Sequence, residues 1–286
     1  MRFLIARLSA ARRRRSAAPV VLLLALLFTG GTYAVLSPAS ASSSAADSDL
    51  VNQGRDLFLV GCSSCHGEHA QGIITQDGTQ YGPPLVGVGA ASVDFQVGTG
   101  RMPMVQPGAQ VVVKKTVYSD QEIEALAAYV ASLGPGPSIP EPEQYDPATI
   151  PEDEREEAIV RGGQFFRTNC TACHNFAAAG GALPGGKYAP SLGDVEPVHI
   201  YEALITGPQQ MPVFSDDVLT PEEKRDIIAY LKHLEESPSY GGAEIGSLGP
   251  VSEGMAAWVI GIGGCVAFAI WIASHTARST RKGVRA

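Results

Sequence analysis

One thirteen-residue pattern occurs twice in this chain of 286 residues, and it restricts the fold more than the composition does. G-x-x-x-F-x-x-x-C-x-x-C-H runs from Gly54 to His66 and again from Gly162 to His174, with Phe58 answered by Phe166. Cys62, Cys65 and His66 thus recur 108 residues later as Cys170, Cys173 and His174. Repetition at a fixed offset marks a duplicated structural unit. C-x-x-C alone serves several chemistries, and the adjoining histidine selects among them. In a c-type haem two thiols add to the porphyrin vinyl groups, and the next residue gives the iron an axial imidazole. A zinc site would need a second ligand pair close by in each half, and neither half has one. A thioredoxin-type pair would sit in a βαβ pattern, which is also missing. Two covalently bound haem c groups are expected, held by Cys62, Cys65, Cys170 and Cys173 with His66 and His174 on the irons.

A closed, electron-carrying iron needs a sixth ligand, and a methionine thioether raises the potential. Methionine is scarce, five in all, yet "TGRMPMV" and "TGPQQMPVF" place Met102 and Met211 at 36 and 37 residues after their histidines. Both follow a Thr-Gly pair and precede proline, which favours Met102 over its neighbour Met104. "YGPPLVG" and "YAPSL" also correspond. A ligating histidine usually donates its second ring N–H to a fixed acceptor, and the carbonyls of Pro83 and Pro190 are placed for that. His69, His199, His233 and His275 read as solvent-facing or interfacial, His69 alternatively as a neighbour of a haem propionate. Cys265 reads as a small apolar residue of the segment around it.

The first unit is expected over 50–133 and the second over 158–236. Each closes with an amphipathic helix, "SDQEIEALAAYVASL" and "TPEEKRDIIAYLKHL", capped by Ser119 with Glu122 and by Thr220 with Pro221 and Glu223. Units of this size bury little apolar core, and a covalent haem would make up the deficit. Between them, 134–157 holds six prolines and a run of acids, expected as an extended spacer. Only "QVVVKKTVY", 110–118, looks strand-like, and the second unit has no counterpart.

At the N-terminus (1–46), Arg12–Arg15 precede an apolar run, Ala17–Leu36, which is either a cleaved signal, with Ala39-Ser40-Ala41 as its processing site, or a retained anchor helix. After a second linker (237–253), residues 254–275 form an apolar transmembrane candidate, with Gly261, Gly263 and Gly264 suited to close helix approach. Arg278, Arg281, Lys282 and Arg285 in the tail (276–286) place the C-terminus in the cytoplasm and the haem units outside. Ten of the 21 basic residues lie in the two termini, leaving 11 against all 29 acidic ones. An acidic exported body argues against nucleic acid as a partner.

Gly54, Phe58 and Tyr129, and again Gly162, Phe166 and Tyr230, resemble the packed terminal helices of class I cytochromes c, and the two proline loops resemble that family's. The order of the whole chain is similar to the di-haem cytochrome c subunits of actinobacterial cytochrome bcc complexes (menaquinol:cytochrome c reductases). The resemblance implies a mainly α fold, two tandem cytochrome c-like domains plus the C-terminal helix. It also implies a cytochrome b subunit and a Rieske iron–sulfur subunit as partners, and a haem–copper terminal oxidase as acceptor. The alternatives are a di-haem subunit of another membrane oxidase or of a quinoprotein dehydrogenase, a di-haem peroxidase, and a haem-based sensor.

Overall fold

A computed structural model describes residues 17–36, 45–106, 108, 110–237 and 250–282. Helix α1 (Ala17–Leu36) is apolar, with Leu22 to Phe28 exposed where side chains are described. Arg12–Arg15 and Ala39–Ala41 lie outside the described residues.

The first haem unit begins in α2 (Ala45–Gly61) and turns at once into α3 (Ser63–His66). A short antiparallel hairpin follows, β1 (Ile73–Ile74) with β2 (Gln80–Gly82). Next come α4 (Ala90–Val93) and a π turn over Asp94–Gly98, and α5 (Asp120–Ser132) closes the unit. Glu122 accepts from the backbone N–H of Ser119 at 2.8 Å, as the capping reading expects. Helix α5 buries Ile123, Leu126 and Val130 against Phe58, with Tyr129 tilted on that ring at 5.2 Å. The crossing of α2 and α5 depends on Gly54: a Cβ there would stand 1.9 Å from the carbonyl oxygen of Ala125.

The second unit repeats the plan. Short helix α6 (Pro142–Tyr145) precedes α7 (Arg155–Asn169) and α8 (Thr171–His174). Strands β3 (Gly181–Leu183) and β4 (Lys187–Ala189) form its hairpin, followed by α9 (Pro197–Thr206) and α10 (Pro221–Glu236). Phe166 and Tyr230 pair at 5.6 Å, and a Cβ on Gly162 would lie 1.9 Å from the carbonyl oxygen of Asp226. Two cations, one exposed and one buried, brace α10. Arg161 binds Asp226 at 2.9 Å, and Lys224, fully buried, binds Asp216 at 2.5 Å.

Two sequence expectations fail. Residues 110–118 form no strand, because they make no backbone ladder: Lys114 donates to the Gly100 carbonyl, the Gln110 side chain bonds the Tyr188 backbone, and the Val111 N–H bonds the Gln209 side chain. The proline-rich stretch is not an unpacked, extended spacer throughout either. Tyr145 and Ile150 supply apolar anchors, and Arg225 on α10 donates to the Glu143 carbonyl at 2.7 Å, so residues 142–150 pack onto the second unit. Proline count alone hid those two side chains.

Beyond, α11 (Pro250–Ala257) and α12 (Gly263–Lys282) join through a π turn at Trp258–Ile262. Val251–His275, 25 residues, is long and apolar enough to cross a membrane. No heavy atom comes within 4 Å of a Cβ built on Gly261, Gly263 or Gly264.

Candidate metal centres

Each C-x-x-C-H motif folds as one tight helical turn at the end of a helix. In the first, the N–H groups of Cys65 and His66 both donate to the carbonyl of Cys62, at 3.1 and 3.0 Å. In the second, Cys173 and His174 donate to Cys170 at 3.1 and 2.9 Å. Gly67, at φ +81°, stops the first turn. Asn175, at φ +67°, stops the second. The chain then loops back identically, with Gly72 donating to the His66 carbonyl and Gly180 to that of His174.

The proline loops meet the histidines as expected. The Nδ1–H of His66 donates to the Pro83 carbonyl at 2.8 Å, and that of His174 to Pro190 at 3.0 Å. That fixes the tautomer and leaves each Nε2 lone pair free for a metal. Burial holds the His174 pKa below its ordinary value, partly offset by the bond to Pro190, so it is a neutral donor at neutral pH. The thiols of Cys62 and Cys170 are pushed up to about 11, mainly by burial and then by the neighbouring cysteine. Reactive or thiolate-ligating cysteines have depressed values, so these environments do not favour a thiolate.

Met102, like Cys62 and Leu85, packs against the first core, and Met211, like Cys170 and Leu192, against the second. Met104 belongs to neither cluster. The two loops are reached differently: Met102 follows the π turn, donating its N–H to the Gln96 carbonyl, whereas Met211 follows α9 and Gly207. The second cleft is lined by Cys170, Cys173, His174, Pro190, Met211 and Phe214, with Ile227 and Leu231. This donor set, with apolar walls and a ring-nitrogen lone pair on one side, fits a covalent haem.

The second cleft also has walls from the first unit, which sequence reasoning missed. Phe95, Arg101, Gln110, Val111 and Val113 line it. The Gln110 side chain exchanges two hydrogen bonds, at 3.3 Å each, with the backbone of Tyr188. The Val111 N–H donates to Gln209 at 3.4 Å. The strap thus bonds both the β3–β4 hairpin and the loop before Met211. His199 is interfacial: its ring meets Phe95 edge-on at 6.3 Å, and its Nδ1 lies 2.9 Å from Glu202 and 3.8 Å from Asp94. Glu202 is fully buried, with one carboxyl oxygen unpartnered. Its pKa is pushed up to about 7, by burial first and by Asp94 as well, against the bond from His199. The one prior signal was Arg101, standing directly before Met102. His69 and His233 are exposed.

The "Cytochrome c" family model matches residues 51–134, and "Cytochrome C oxidase, cbb3-type, subunit III" matches 157–231. The chain is 43% identical over 251 residues to the "Cytochrome bc1 complex cytochrome c subunit" of Corynebacterium diphtheriae, covering 85% of this chain and 88% of that one. The protein of that name from Corynebacterium efficiens is 45% identical over 242 residues, 80% of this chain and 78% of its own. That from Mycobacterium tuberculosis is 42% identical over 249 residues, 86% of each. With two haem-binding motifs in matching geometry, a cytochrome c family match on the first unit and this likeness along most of its length, the chain belongs to the cytochrome bc1 complex cytochrome c subunits, electron-transfer proteins with two haem c groups.

Proposed function

We propose that this chain carries electrons within a menaquinol:cytochrome c reductase, from its Rieske iron–sulfur subunit to a haem–copper terminal oxidase. Bound haem supplies the one-electron couple. Cys62 and Cys65 tether one group and Cys170 and Cys173 the other. His66 with Met102, and His174 with Met211, are the axial pairs, oriented through Pro83 and Pro190. A thioether on the sixth position raises the potential and closes the iron to substrate, which is why a carrier is favoured over a peroxidase. The units span 50–133 and 158–236, outside the membrane, with 254–275 spanning it and 276–286 in the cytoplasm, where its basic residues belong.

The observation that carries this reading is the shared wall. Residues beside Met102 line the cleft that holds Met211, so the two centres adjoin within one body, as a short relay requires. Purification of the membrane complex in mild detergent tests it. A cytochrome b subunit, a Rieske subunit and a haem–copper oxidase should accompany this chain in fixed ratio. Recovery without the first two would overturn the assignment. Protease added to intact spheroplasts should remove the haem units and spare the C-terminal tail.

A further inference from the structure

The second cleft draws no lysine or arginine from its own unit. Among its lining residues, Arg101 is the only lysine or arginine, and it comes from the first unit. The guanidinium is partly buried and sits 4.5 Å over the Phe95 ring. No carboxylate lies within ion-pair distance of it among the described residues; the nearby acids, Asp94 and Glu202, face His199 instead. A half-buried cation with no counter-charge is costly, and the anionic groups of a haem are its two propionates. The geometry points to a second haem site completed by the first unit, with Arg101 as the counter-ion to a propionate and the strap at 110–113 closing that haem's solvent edge. This rests on the reading of Cys170, His174 and Met211 as a haem site.

Two consequences follow from the placement. Arg101 is bonded to Met102, so one short segment carries an axial ligand of the first centre and the counter-charge of the second. Docking of the two units then tunes the second potential, since net charge and solvent exposure both set it. A cation beside the haem favours the reduced state, because the ferric form carries one more positive charge. Losing it lowers the potential.

Spectroelectrochemical titration of the full-length chain in detergent tests this, with the second haem's wave identified through Met211→Ala. Arg101→Gln should keep both haems covalently attached. It should move the second wave downward by about tenfold in the redox equilibrium, about 59 mV for one electron. Arg101→Lys should restore most of the shift, and the exposed Lys115→Gln should move neither wave. If Arg101→Gln prevents incorporation of the second haem while Arg101→Lys permits it, the conclusion is the same. An unmoved second wave in Arg101→Gln, or an equal shift in Lys115→Gln, overturns the proposal. A wild-type chain carrying fewer than two attached haems would instead overturn the site reading itself.

Discussion

Single atoms decide the chemistry at each centre. The Nδ1–H to proline carbonyl bonds leave His66 and His174 one free nitrogen each, and a sulfur must come from across the cleft. Met102→Ala and Met211→Ala should each remove one haem's share of the methionine–iron charge-transfer band while leaving both haems attached. Met104→Ala should leave the band intact. Survival of the full band in either of the first two variants would remove that methionine from the site. At the interface, a proton is the atom that matters. Glu202 holds its proton to about 7 instead of 4.5. His199 is also raised: burial opposes its charged form, but the bond from Glu202 and the charges of Glu202, Asp94 and Glu196 outweigh it. Both groups bind protons more tightly in the folded state, so stability is fullest at acid pH and falls as pH rises. For Glu202 the window is about 4.5 to 7, and the cost of ionising it is on the order of 3 kcal/mol. Thermal unfolding followed across that window should show falling stability in the wild type and a flatter profile in Glu202→Gln.

Helix crossings set the frame around these atoms, and they tolerate no extra carbon. A Cβ on Gly54 or Gly162 would lie 1.9 Å from a backbone oxygen that no rotamer change can move. Gly162→Ala should therefore cost about 3 kcal/mol, at the upper end for overpacking. That would appear as a Tm lower by roughly 12 °C or more for a unit this small, with a matching loss for Gly54→Ala. A Tm within a degree or two of wild type would show that the helices can part at little cost. These crossings, the capped closing helices and the pairing of each motif histidine with a proline loop were legible in the sequence, because each is a local spacing seen twice. The hairpins at 73–82 and 181–189 were not, since two- and three-residue strands leave no alternation to read. Nor was the role of 110–118. Its valines suggested a strand, but Gln110 pairs with Tyr188 and Val111 with Gln209, 78 and 98 residues away in the chain. Asp94, Phe95 and Glu202 escaped notice for the same reason: an interface between two units has no period.

At the scale of the molecule, the two units meet through the elements that carry the proposed axial residues. The first unit gives its π turn, its Met102 loop and its strap; the second gives α9, the β3–β4 hairpin and the loop before Met211. Residues 142–150, packed on α10, shorten whatever freedom the connecting chain would have allowed. Two carriers on a loose tether would need none of this, because each could meet donor and acceptor alone. A relay in series needs all of it, since its rate depends on keeping the centres close and on keeping water from the edge between them. The series arrangement has a sharp consequence. Disabling either centre should stop quinol-to-oxygen electron flow almost completely in the assembled complex, as no parallel route exists. Met102→Ala and Met211→Ala should then be equally inactive in oxygen uptake, despite retaining both haems. A milder lesion separates the two designs further. Gln110→Gly with Val111→Gly loosens the strap and leaves every ligand in place, so in a relay it should slow oxidation of the first haem by the second. In two independent carriers it should leave that rate unchanged. Flash-induced oxidation, followed at each haem's own absorbance, reads the difference directly. Retention of most of the flux in either methionine variant, with the altered haem confirmed by its spectrum, would sink the series model.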